Sequence, residues 1–347
     1  MGVVNQPFET AASGDPPVER WTLTNRSGAS ASVINYGATI ASVRVPDHEG
    51  NLGEVSLGLS TFEDYLADTE FLGRTVGRFA NRIGGASFEL GGRRFALPAN
   101  EAPNHLHGGQ DGFHQKRWVA EDDGEAVIMS CISPDGECGY PGSLRASVRF
   151  TFNDEHELAF AFEAETDAPT PINMTNHVYW NLAGAGSGDV RGHLVQIEST
   201  HYLETDDGLV PTGVEVPVAG GPLDFLDERA IGDRMDAAPL APRWQRGYDH
   251  CFVLRREAAL SRAATVHDPV SGRVMEVLTT QPGMMFYTGN DLSGTIGAGG
   301  RPFNQYGGFC LETQNFPDAV NHPHFPNAVL EPGQVYRQRT IFRFSTQ

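Results

Sequence analysis

Apolar and polar residues alternate with a period of two over much of the chain. Between Leu144 and Phe152 the even positions are Leu144, Ala146, Val148, Phe150 and Phe152, and the odd positions are mostly Arg, Ser and Thr. A strand places successive side chains on opposite faces, so this stretch reads as a half-buried strand. Asn153, Asp154, Glu155, His156 and Glu157 supply a turn, and Leu158, Phe160, Phe162 and Ala164 then share one face of a second strand. The two predict a hairpin.

The same signal recurs at 32–45, a strand pair or one bent strand, and at 87–97 about Gly91 and Gly92. It recurs at 264–278 around a turn at 268–272, and in a closing strand at 335–344. One helix start stands out: Ser60-Thr61-Phe62-Glu63 has capping-box spacing before Tyr65 and Leu66 and predicts a short helix. A Pro- and Arg-rich stretch at 237–247 reads as a surface loop. There is no βαβ alternation, internal repeat, GxGxxG motif or P-loop. The pattern predicts an all-β chain, a large antiparallel β-sandwich. The expected division is an N-terminal extension over 1–19 and one domain over 20–347.

Composition narrows the partners. The 347 residues include 40 glycines and 22 prolines, which suits a turn-rich β fold. The net charge is −19, from 25 Lys and Arg against 44 Asp and Glu, and Lys116 is the only lysine. Such an excess argues against a nucleic-acid backbone or an anionic membrane surface as partner. The first residues show neither a basic region nor an apolar core of signal-peptide type, and no apolar run is long enough to span a bilayer. The four cysteines form no CxxC pair. Reduced thiols in a cytoplasmic protein are the expectation.

Six polar strings carry candidate chemistry. GRFANRI (77–83) sets two arginines around an amide, and read alone it is equally a structural loop. NHLHGG (104–109) holds His105 and His107, which with His322 and His324 raise a metal reading, although no ligand spacing is defined. TNHVYWNL (175–182) puts His177 beside aromatic rings that could stack on a sugar, Trp180 among them; Phe286 is a second stacking candidate. YDH (248–250) places Asp249 ahead of an apolar run. QPGMMFYT (281–288) and LETQNFPDAVN (311–321) complete the set. Glu312 sits in an apolar strand, where partial burial would raise a carboxyl pKa into the range useful for a base.

In this order, and spread over roughly residues 30 to 345, the strings resemble the aldose 1-epimerases, or galactose mutarotases. The resemblance implies a β-sandwich with an open sugar cleft, a monosaccharide substrate and no cofactor or metal. It implies that Glu312 is the general base and His177 the general acid. Asn81, Arg82, His107, Asp249 and Gln281 would bind the sugar. His177 is then expected to be protonated near neutral pH, supported by a carboxylate. Ring opening needs a base at the C1 hydroxyl and an acid at the ring oxygen, and these two groups meet that need. The resemblance also leaves open a relative acting on an unusual sugar or another hemiacetal. Read without it, the residues would also suit a glycoside hydrolase or lyase, or a non-catalytic sugar-binding sandwich.

Overall fold

A computed structural model describes residues 2–8, 17–238, 247–254 and 258–347. Most of the surface loop expected at 237–247 lies outside the described residues.

The predicted hairpin forms between Leu144–Phe152 and Glu157–Thr166. Its register sets Phe150 opposite Phe160 and Val148 opposite Phe162, so the even positions of both strands share one buried face. Around it grows an antiparallel sheet of nine strands. Its order is Val119–Asp122, Ala126–Ser133, the hairpin, Tyr336–Thr346, Arg273–Thr279, Ser261–His267, Leu194–Ile197 and Arg229–Ala230. The closing strand lies in the middle of this sheet, between Glu157–Thr166 and Arg273–Thr279. Residues 340–343 are therefore paired on both edges.

A second antiparallel sheet has six strands, in the order Tyr179–Trp180, Phe309–Gln314, Gly283–Tyr287, Asp249–Val253, His201–Thr205 and Pro211–Pro217. A third has five, in sequence order from Gly2–Pro7 through Glu19–Thr24, Ser30–Ile34 and Thr39–Pro46 to Leu52–Glu54. The stretch 32–45 is thus a pair of strands. Residues 2–7, within the stretch set apart as an N-terminal extension, pair with Glu19–Thr24 along the edge of this sheet.

One apolar cluster draws on all three sheets. It includes Trp21 and Val43, Phe150, Phe160 and Phe342, and Phe286, Phe309 and Leu311. Trp180 is fully buried in it, its ring 4.8 Å from Phe342 and 5.4 Å from Phe344. Phe286 is equally buried and stacks on Tyr248 at 5.2 Å. Neither ring is available to a sugar, which corrects the stacking role expected for both.

The short helix is Phe62–Ala67, one residue later than the spacing suggested. Thr61 is its N-cap and Asp64, not Glu63, completes the capping box, which lets Phe62 and Tyr65 both turn inward.

Candidate active site

A cleft of about 250 Å³ opens where the six-stranded sheet meets the loops at 69–71, 81–82 and 101–107. Asn81, Arg82, His107, His177, Asp249 and Glu312 line it, together with Phe71, Glu101, Tyr179 and Tyr287.

Strand alternation delivers the floor. In Phe309–Gln314 the side chains of Cys310 and Glu312 share a face, while Phe309 and Leu311 point into the main core. Met285 lies directly opposite Glu312 on the neighbouring strand, and Tyr287 lies between Cys310 and Asp249. Tyr179 pairs with Cys310 from the other side. His177, two residues before Tyr179, then reaches the same face. Its Nε2 is 3.6 Å from Glu312 Oε1, and its Nδ1 is 3.6 Å from Cys310 Sγ.

The wall is built by two loops zipped together. Arg82–Ile83 pairs with His105–Leu106. Asn81 and His107 both adopt left-handed backbone, with φ 65° and 54°. The Asn81 N–H donates to His107 Nδ1 at 3.2 Å, and the His107 N–H donates to the Asn81 carbonyl at 3.1 Å. With Nδ1 accepting, the neutral His107 ring carries its hydrogen on Nε2. Gly108 is required here, because a Cβ at this position would come within 2.0 Å of the Gly77 carbonyl oxygen.

Arg82 is clamped rather than free. Its Nε and Nη2 donate to the two oxygens of Glu101, at 2.6 and 2.8 Å, and Nη1 lies 3.9 Å from Asp249 Oδ2. Such a bidentate pair holds the guanidinium plane in place. Burial acts to lower its pKa, but Glu101 and Asp249 outweigh burial and raise it. Phe71 sits over the histidines, with its ring 4.7 Å from His107 and 5.8 Å from His177.

Burial governs the charge state of the floor. It pushes the Glu312 carboxyl well above its ordinary value, and the charge of Asp249 adds to the rise. It lowers His177 to about 4, and His107 well below its usual value. At neutral pH His177 is therefore a neutral imidazole, beside a carboxyl whose charged form burial disfavours. This differs from the imidazolium expected of His177. Desolvation penalises both charged forms more than their mutual attraction at 3.6 Å restores.

The model of the family described as aldose 1-epimerase matches residues 19–343. The chain belongs to the aldose 1-epimerase family. It is 41% identical to the galactose mutarotase of Rattus norvegicus over 346 residues, 99% of each chain. It is 35% identical to the aldose 1-epimerase of Escherichia coli, again over 99% of each. A solved galactose 1-epimerase from Lactobacillus acidophilus superposes with a TM-score of 0.85 at 28% identity, covering 99% of this chain and 98% of that one. An aldose epimerase homologue from C. elegans gives 0.87 at 29% identity, covering 94% and 98%. The galactose mutarotase-like sandwich expected from the motifs is thus the fold of this epimerase-family chain.

Six of the seven sequence-selected site residues converge on the cleft. Gln281 does not. It is buried elsewhere, donating through Nε2 to Tyr336 Oη at 3.1 Å and to the Met174 carbonyl at 3.4 Å. The strand begins at Gly283, and Met285, opposite Glu312, is four residues further on than Gln281. Gln281 instead lines a separate pocket with Asn315, Tyr336 and Gln338.

The four histidines of the metal reading are not gathered either. The His105 Nδ1–H donates to the Pro98 carbonyl at 2.7 Å and its ring packs on Tyr140. The Nε2 atoms of His322 and His324 face the carbonyls of Pro211 and Gly213. Arg78, flanking the same amide as Arg82, is wholly structural. Its guanidinium donates to the carbonyls of Ser133, Pro141 and Gly142 and to two hydroxyls.

Sequence reasoning passed over Glu101, Phe71, Tyr179 and Tyr287, which line the cleft, and Cys310, buried behind it. For three of them a signal existed. Tyr179 shares a face with His177 and Cys310 with Glu312, while Tyr287 lies on the face opposite the buried Phe286, so period two applied within each motif selects them. Glu101 and Phe71 lie in irregular loops, where no period operates.

Proposed function

We propose that this chain interconverts the α and β anomers of a free aldohexose by opening and reclosing the hemiacetal ring. The observation that carries the reading is the buried His177–Glu312 pair, 3.6 Å apart on the floor of a cleft of monosaccharide size. Family membership supports it, because relatives bear the names galactose mutarotase and aldose 1-epimerase.

The pair holds one exchangeable proton between two sites. With the proton on His177 Nε2, Glu312 is a carboxylate and accepts the C1 hydroxyl proton. His177 donates to the ring oxygen, the C1–ring oxygen bond breaks, and an aldehyde forms. Rotation about C1–C2 presents the other face of the carbonyl. Closure returns a proton from Glu312 to the C1 oxygen and one from the ring-oxygen hydroxyl to His177. Arg82 and the His107 Nε2–H supply donors toward sugar oxygens, where charge develops as the bond breaks. Asp249 accepts from hydroxyls at the far side of the ring. The four cysteines are free thiols, which supports a reducing, cytoplasmic setting.

The direct test is polarimetry of freshly dissolved α-D-galactose and α-D-glucose. The expected result is an approach to anomeric equilibrium that is first order in protein. A rate no faster than buffer for either sugar overturns the proposal.

Two predictions follow from the site's chemistry. Asp249→Asn is expected to raise KM about 10–100-fold, the worth of a hydrogen bond to a charged group, with a smaller change in kcat. A kcat loss at unchanged KM would instead assign Asp249 to the proton transfer. The second concerns pH. The working pair carries one proton, and a second is taken up as pH falls through the lowered His177 value of about 4. Below it Glu312 is protonated and His177 is charged, so no base remains. The acid limb of kcat/KM should therefore lie near pH 4, after subtraction of the spontaneous rate. A limb near the ordinary imidazole value of about 6.5 would contradict the lowered value of His177.

A further inference from the structure

Cys310 has no part in the anomerisation chemistry, yet its thiol is fully buried against His177, behind the floor of the cleft. We propose that His177, Cys310 and Glu312 together form an inhibitory site for a thiophilic divalent cation such as Zn²⁺ or Cd²⁺. Among the described residues this is the grouping of three metal-ligating side chains whose donor atoms lie within 4.8 Å of one another.

The geometry suits the ion. Cys310 and Glu312 project from one face of one strand, and His177 meets them from the neighbouring segment, with Sγ–Nδ1 and Nε2–Oε1 both at 3.6 Å. Tetrahedral zinc with bonds of about 2.0–2.3 Å spaces its ligand atoms by about 3.3–3.8 Å. The two contacts use different nitrogens of His177, and an imidazole gives an ion one; with one donor atom from each residue the three lie within 4.8 Å of one another, so movements of about 1 Å by His177 and Glu312 close the cage. The donor types select the metal, because imidazole, thiolate and carboxylate together suit zinc and cadmium, whereas Mg²⁺ and Ca²⁺ take all-oxygen shells.

The charge balances as well. The incoming dication displaces the thiol proton of Cys310 to solvent. One thiolate and one carboxylate neutralise it, so the occupied site carries no net charge. Independently, Glu312 Oε2 is buried and has no hydrogen-bond partner. A carboxylate oxygen left in this condition is a vacant acceptor. The fourth coordination position would face the cleft, where His177 and Glu312 are exposed to it and Cys310 is not among the lining residues.

That such binding inhibits rests on the proton-transfer roles proposed above; the binding itself does not. A bound cation holds the lone pairs of both His177 and Glu312 and occupies the place of the anomeric centre. Inhibition should therefore be competitive with sugar and reversed by a chelator.

The test is a Cd²⁺ titration of the purified, chelator-treated full chain, followed by the ultraviolet charge-transfer absorption of a cadmium–thiolate bond. Wild type is expected to saturate at one equivalent, and D-galactose should shift the titration to higher Cd²⁺. Cys138→Ser, which removes the half-buried thiol near Asp111, should keep both the band and wild-type turnover. Cys310→Ser should lose the band and weaken Cd²⁺ binding at least about tenfold, since even outer partners of metal ligands are worth 10–100-fold. A band that survives in Cys310→Ser, or no band in wild type, overturns the proposal. If Cys310→Ser does not fold, a wild-type band indifferent to saturating sugar overturns it equally. Should Glu312→Gln keep its turnover while the band behaves as expected, the anomerisation roles fail and the metal site stands.

Discussion

Glu312→Gln should lower kcat for anomerisation by at least about 10²-fold, the typical worth of one positioned proton-transfer group. The amide keeps the shape of the side chain but accepts no proton at neutral pH. Folding should be nearly unaffected, because burial disfavours the charged form of Glu312 and a neutral amide of the same shape suits the same surroundings. The thermal midpoint should move little. His177→Asn removes the other half of the pair and should reach a similar loss. The double variant should be little worse than either single one, since the two groups act as a unit. Polarimetric rates on α-D-galactose beside far-ultraviolet circular dichroism check all three. Near-wild-type turnover in either single variant would remove the pair from the mechanism.

Trp180→Ala should act on stability instead, by about 3–5 kcal/mol, the usual cost of truncating a buried tryptophan. The side chain is 0% exposed and packs on Phe342 and Phe344 of the central closing strand. The cavity would thus open between two sheets, where neighbours on both sides are held by ladders and cannot collapse into it. Denaturant unfolding measures the loss. At temperatures where the variant remains folded, KM for sugar should stay close to wild type, because the ring lies on the opposite face of its strand from Tyr179 and the cleft. A rise in KM without loss of stability would restore the stacking role that its position beside His177 suggests.

The contrast between Trp180 and Tyr179 shows where the sequence is informative. Period two separates the two residues onto opposite faces, but both are buried, at 0% and 1% exposure. Hydrophobicity alone therefore cannot say which face is core and which is cleft. The hairpin at 144–166 has no such ambiguity, because polar residues mark its outer face, and its register follows from its turn. The helix at 62–67 was legible in kind but displaced by one residue, since Ser60 and Thr61 are both good caps and only packing of Phe62 chooses between them. Gln281 was misplaced because a motif records order along the chain and not distance across a sheet.

The sequence by itself determined the all-β class, four of the hairpins, the family and six cleft residues. These rest on local periodicity and on short strings whose residues act as neighbours in the chain. The tertiary structure alone decided the rest: the Glu101 clamp on Arg82, the distance between His177 and Glu312, the burial that shifts both groups toward their neutral forms, and the Cys310 thiol that completes a ligand set. His177 and Cys310 stand 133 positions apart in the chain. Whether an imidazole, a thiol and a carboxyl become coupled depends on how closely folding brings them together and how much water it removes. Distance and desolvation are properties of the packed sheets and are not encoded in any one segment.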